Sequence, residues 1–202
     1  MIPNNLSQLD PGFHAVPPDH LAAVVTILEM EAHETAAPPA RSDVLIEEIT
    51  NPQAEWYRTL FRKVGAPWLW SSRLQWSDSE LQEKLSAPTT RLFVAKLVNG
   101  EEIGYVELNF FAKDQCEIAF LGVVNEWARR GVGRWLLENG MYNATKAGAS
   151  RLMIHTCTLD DQRALALYIK CGFRPVRRAV EILADPRKKG LLPLDVSTHP
   201  LF

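Results

Sequence analysis

Between Ala128 and Arg134 the chain reads A-R-R-G-V-G-R, and helical spacing begins at once. These residue types suit one kind of chemistry, the holding of an anion. The start of a helix leaves backbone N–H groups unpaired and carries partial positive charge. Glycines at 131 and 133, on either side of Val132, remove the β-carbons that would keep a bulky anion from those N–H groups. Arg129, Arg130 and Arg134 add positive charge around the same point. The constellation fits a phosphate or pyrophosphate. A tight turn into an ordinary helix accounts for a lone G-x-G equally well. Two nucleotide-binding patterns are excluded: G-x-G-x-x-G would need glycine where Leu136 stands, and no Gly-Lys-Ser/Thr follows.

The elements that must position this stretch can be read from periodicity and punctuation. "RLFVAKLV" and "IGYVELNFF" are strand-like runs joined through "NGEE", whose Asn-Gly is a strong hairpin signal. "QCEIAFLGVV" is a third strand after the turn-like "AKDQ". Helical spacing then runs through Leu137, Met141 and Ala144 to an end near Gly148. "RLMIHTC" reads as a strand, and "LDDQRALALYIKCG" as a helix with Asp160 or Asp161 as cap and Gly172 past its end. "FRPVRRAVEIL" is a final strand. Upstream, "NPQAEWYRTLFRKVG" is a helix with Asn51 as cap, Pro52 in its first position and Trp56, Leu60 and Phe61 along one side. "SDSELQEKLSAP" is a second helix, capped by Ser77 or Asp78 and stopped by Pro88. The link between them, "APWLWSSRLQW", holds Trp68, Trp70 and Trp76, either core filling or the wall of a ligand pocket.

The first forty residues are less regular. Residues 1–20 are rich in Pro, Asn and Asp and read as an extended arm, whereas "AAVVTILEM" fits a strand better than a helix. A Pro-containing loop then leads to "VLIEEI", a second strand. Three consecutive strands followed by helix, strand, helix, strand imply a mixed α/β sheet with helices packed on it. The expected division is an arm with an extra strand over 1–40, a catalytic-type domain over 41–183 and a tail over 184–202.

Composition narrows the function classes. With 47% hydrophobic and 23% charged residues the balance is that of a soluble globular protein. A net charge of −2 supplies no basic field for nucleic acid, so none is expected as a partner. Three cysteines without C-x-x-C spacing speak against a disulfide framework or structural zinc, and fit a reducing cytoplasm. No signal-peptide pattern opens the chain, and no apolar run spans a bilayer, so a cytoplasmic location away from membranes is expected. The proline-containing arm and the tail "LLPLDVSTHPLF" have the composition to cross a homodimer interface.

The stretch "VVNEWARRGVGRWLL" resembles motif A of the GNAT superfamily of acetyl-CoA-dependent N-acetyltransferases. "DDQRALALYIKCGF" is similar to that family's N-x-x-A-x-x-L-Y-x-x-x-G-F segment at Ala164, Leu167, Tyr168, Gly172 and Phe173. Two segments in the right order, one helix and one strand apart, are more specific than either alone. The resemblance covers about residues 91 to 173 firmly, 40 to 90 loosely, and does not place 1 to 40. It implies a mostly antiparallel sheet, with helices on both faces, that splays between "QCEIAFLGVV" and "RLMIHTC". Acetyl-CoA, the implied co-substrate, would lie in that gap. Its pantetheine would pair with backbone near Leu121 and Val123, its pyrophosphate with the N–H groups of Arg129 to Arg134, and its thioester would lie near Tyr168. Two departures stand out. Ala128 replaces a usual Gln or Arg, which matters little to a main-chain cradle. Asp161 replaces a usual Asn, which alters a contact to the pantetheine.

Direct amide formation from a primary amine and a thioester needs a base for the amine and an acid for the leaving thiolate. Glu117 is the candidate base, since glutamates at similar spacing serve so in one branch of the family. Burial in a partly apolar cleft is expected to raise its pKa. An ordinary strand ion pair is the competing reading. Tyr168 is the candidate acid by its match to the family tyrosine, and otherwise a packed core residue. His155 is a second candidate base, or else a packed strand histidine. Cys157 reads as a small buried hydrophobe, and no metal cluster is visible. The acceptor, a small-molecule or peptide amine, is expected against Trp68, Trp70 and Trp76. An acyl-CoA-binding regulator of the same fold without turnover is the alternative function.

Overall fold

The computed structural model describes residues 8–33 and 36–201; the first seven residues of the expected arm lie outside them. Among the described residues seven strands form one sheet, in chain order β1 (His20–Glu31), β2 (Val44–Ile49), β3 (Thr90–Leu97), β4 (Glu102–Ala112), β5 (Gln115–Val123), β6 (Arg151–Cys157) and β7 (Arg174–Ala184). Their spatial order is β2-β3-β4-β5-β6-β1-β7, antiparallel throughout except for the parallel pair β5–β6. Four α-helices accompany it: α1 (Ala54–Gly65), α2 (Asp78–Ser86), α3 (Val132–Lys146) and α4 (Ala164–Lys170). This is the mixed, mostly antiparallel α/β architecture expected from the sequence.

Alternation along β4 decides which helix sits where. Tyr105 and Glu107 face α1, whose Tyr57 meets both. Val106 and Leu108 point to the other face, where α3 comes so close that Gly140 leaves no room for a larger side chain over Val106. Helices therefore cover both faces, with Leu60, Phe61 and Val64 of α1 and Leu136, Leu137 and Ala144 of α3 buried against the sheet.

The sequence expectations differ from the structure at two helix starts, and the structure gives a place to a strand that the sequence left unplaced. Helix α1 begins at Ala54 behind Gln53, not at Pro52 behind Asn51, because Asn51 takes a positive φ of 50° and its side chain accepts from Gln82 and Ser86 instead. Helix α2 follows expectation, capped by Ser77 in a reciprocal box with Glu80. Neither Asp160 nor Asp161 caps α4; Arg163 precedes it, and both acids are otherwise engaged. Strand β1 is not an appendage. It lies between β6 and β7, pairing with β6 from Val25↔Cys157 to Glu31↔Arg151 and with β7 along most of its length, so it joins the same sheet as residues 41–183. The tail is held at its far end, where Arg187, buried against Asp185, donates to the carbonyls of His199 and Pro200.

Candidate active site

Strands β5 and β6 run together only from Gln115↔Arg151 to Ile118↔Ile154. At the level of parting Ala119 is an extra residue in β5: Leu108 pairs with Ile118 and Glu107 with Phe120. Such a bulge bends a strand locally. Beyond it, as far as Val123, the edge of β5 facing away from β4 has no strand partner. A cavity of about 1020 Å³ opens there, lined by both sides of the split and by the start of α3. From Glu117 to Val123 the strand alone spans roughly 20 Å at about 3.3 Å per residue. Its size suits a large ligand.

At one end lies the α3 N-terminus. Gly131 precedes the helix at φ 79°, in the left-handed region, as does Arg129 at φ 63°. No side chain caps α3, and its first turn carries no acidic residue. Gly131, Gly133, Ala128, Arg129 and Arg134 line the cavity, as do Leu121 and Val123. A β-carbon at Gly133 would meet nothing nearer than Val123 at 3.9 Å, so the protein itself leaves that approach open. Val132 is buried in the core and Arg130 stacks over Trp127 at 4.8 Å, so neither side chain lines the cavity. Uncapped N–H groups, glycines and arginines suit a pyrophosphate.

Near the point of parting, Glu117 Oε1 lies 3.5 Å from His155 Nδ1. Both residues face the cavity, and Glu117 is only 6% exposed. Asn109 stands opposite Glu117 in the β4–β5 register. The expected rise in the Glu117 pKa is not what the structure shows. Burial does push the carboxyl up, but hydrogen bonding to His155 and Asn109 and the nearby imidazole outweigh it, and the net direction is down. Glu117 is therefore a carboxylate at neutral pH, the state a base requires.

Tyr168, at the cavity wall in α4, is held well above its ordinary pKa by burial and then by Asp160 and Asp161, so it keeps its proton. Asp161 is engaged by Arg163, through the backbone N–H and the guanidinium, and its carboxyl is lowered chiefly by that bond. The Cys157 thiol lines the cavity but is pushed up to about 12, first by burial and then by Asp160, which makes it a poor nucleophile. Among the described residues no group of three His, Cys, Asp or Glu gathers as a metal site.

All three tryptophans of the α1–α2 link line the cavity. Trp70 packs on Phe120 and over Gly122 of β5, where a β-carbon would meet its ring at 3.2 Å. Its Nε1–H donates to Asp160 Oδ1 at 3.0 Å, beyond the end of β6. The other oxygen of Asp160 accepts from Thr156 Oγ1 and the Cys157 N–H. Trp70 thus straps one wall of the split to the other.

Three cavity residues carry no sequence signal that marks them, Asn109, Arg73 and Lys84, and Asp160, read as a helix cap, serves the cavity wall instead. Arg73 donates to the fully buried Glu107 at 2.6 Å and lies over the rings of Trp76 and Phe120. Lys84 Nζ donates to Asn109 Oδ1 at 2.5 Å. Arg73 lies in the tryptophan-rich link and Lys84 in the second helix; each bonds to a residue of β4, and Asn109, the partner of Lys84, stands opposite Glu117.

The family model described as "Acetyltransferase (GNAT) family" matches residues 51–173, more than half of the chain. A mycothiol acetyltransferase of Jonesia denitrificans is 36% identical over 74 residues, which cover 37% of this chain and 23% of that protein. A GCN5-related N-acetyltransferase structure from Kribbella flavida superposes with TM-score 0.54 at 16% identity, over 83% of this chain and 60% of that one. The aminoglycoside acetyltransferase meta-AAC0020 from an uncultured soil metagenomic sample, solved with trehalose, gives TM-score 0.52 at 22% identity, over 63% of this chain and 86% of that one. No helix among the described residues is long and apolar enough to cross a membrane.

Proposed function

The chain belongs to the GNAT acetyltransferase family, and from that premise we propose that it moves an acetyl group from acetyl-CoA to a primary amine by direct attack. One observation carries this reading: a single cavity joins an uncapped, glycine-opened helix N-terminus to a carboxylate–imidazole pair along an unpaired strand edge. Bound acetyl-CoA supplies an activated thioester. The α3 N–H groups from Val132 on, with Arg129 and Arg134, hold its pyrophosphate, and the free edge of β5 at Leu121 and Val123 receives its pantetheine amides.

Glu117 takes the proton from the acceptor amine, and His155 orients its carboxylate. As the new C–N bond forms, the C–S bond breaks, and the Tyr168 hydroxyl gives its proton to the departing sulfur. Trp70, tied to Asp160, excludes water from the middle of the split.

Calorimetric titration with CoA, followed by a thiol-release assay over a panel of amines, tests the proposal. Micromolar binding with amine-dependent thiol release is the expected result. Absence of binding at millimolar CoA removes the cradle assignment, and binding without turnover on any amine removes the transfer step.

A further inference from the structure

Most cations withdrawn from solvent in this molecule have an anion close by. Arg41, Arg58, Arg73, Arg91, Lys96 and Arg187 each lie within 2.8 Å of a carboxylate oxygen. Lys84 is different. It lines the cavity, half-buried, and the contact it makes is with a neutral amide oxygen, that of Asn109. The two nearest buried carboxylates are already engaged, Glu107 by Tyr57 and Arg73, and Glu117 by His155. Glu107 and Glu117 favour the ammonium charge through space, but neither is bonded to it, so burial and the nearby Arg73 still act against that charge and its spare N–H donors remain available to an anion.

We propose, resting on the acetyl-transfer reading above, that Lys84 is the counter-ion for a carboxylate carried by the acceptor, which makes the acceptor an α-amino acid with an apolar side chain. The geometry that selects this class is the bridge through Asn109. Its side chain is bonded to Lys84 and it stands opposite Glu117 across β4–β5. The site for an anion and the site for an amine are therefore neighbours, as the two groups are on one α-carbon. Trp68, Trp76 and Phe120, which line the same cavity, offer apolar surface to the side chain. A polycationic acceptor would meet Lys84 with like charge, which costs it affinity.

Matched pairs separate the idea from its rivals: L-phenylalanine against phenethylamine, L-tryptophan against tryptamine, L-leucine against isopentylamine. Each is titrated calorimetrically into the CoA-bound protein and assayed for KM and kcat. A charge-assisted hydrogen bond is worth enough for the acid to be preferred by about tenfold to hundredfold. Lys84→Met should bring the acid-to-amine ratio close to one, and Lys84→Arg should restore most of it. Equal or tighter binding of the amines to the unaltered protein overturns the assignment, whatever the variants do. A Lys84→Met effect of the same size on both members of each pair overturns it too, since it assigns Lys84 to holding Asn109 in place. If CoA binds and no compound is turned over, the transfer reading falls alone, because the binding ratios still decide the role of Lys84.

Discussion

Two helices of this protein begin in opposite ways, and two buried glutamates repeat the contrast. The α2 N-terminus is closed: Ser77 and Glu80 satisfy each other's backbone N–H groups, and two acidic residues complement the helix dipole. The α3 N-terminus has no cap, no acid in its first turn and a left-handed glycine before it. Glu107, fully buried, is held by Tyr57 and Arg73. Glu117, on the neighbouring strand opposite Asn109, keeps a side toward the cavity. The difference teaches where the molecule is finished by its own groups and where, in the proposed function, completion is left to a ligand.

The sharpest way to break this comparison is to neutralise each glutamate in turn. Glu117→Gln should lower kcat by about 100-fold or more, the range of a positioned base, with CoA affinity and melting temperature little changed. Glu107→Gln should instead cost about 3–5 kcal/mol of stability, because it strands the buried Arg73 charge; chemical denaturation reads this directly. Equal kinetic and stability losses in both variants would erase the distinction.

The two helix starts give the next effect. Gly133→Val should weaken CoA binding by about tenfold or more in calorimetry, since a β-carbon there meets the protein no nearer than 3.9 Å and stands where the ligand must approach. Arg129→Ala, a change at an exposed charge, should cost less than about fivefold. A larger loss for the arginine would show that side-chain charge, rather than backbone, makes the cradle. Ser77→Ala should reduce stability by about 1 kcal/mol and leave CoA affinity as it was.

The smallest effect is in pH. A base acts only when ionised, and the Glu117 carboxyl is depressed in the folded protein, so kcat/KM should hold through the ordinary carboxylate range and fall only below it. The same depression contributes stability that is present above the unfolded value and lost as pH falls through the folded one. His155→Ala removes a bond that lowers Glu117, and should move the acid limb of the rate profile upward.

Local signals were enough for much of this. Val-Val, Gly-Val-Gly and the spacing around Tyr168 are periodic or conformational features that neighbours in the chain impose on each other, and the hairpin through Asn-Gly is likewise local. The Ser77 cap was legible for the same reason. Asn51 was not, because its side chain was drawn to Gln82 and Ser86, residues far along the chain. Pattern by itself determined the strands and most helices, and the resemblance of two motifs pointed to the family. Only the tertiary structure decided that β1 enters the sheet between β6 and β7, that a bulge at Ala119 opens it, that His155 meets Glu117, and that Lys84 meets Asn109 on the neighbouring strand. These are pairings between distant segments, fixed by strand register and packing, and no periodicity within one segment carries them.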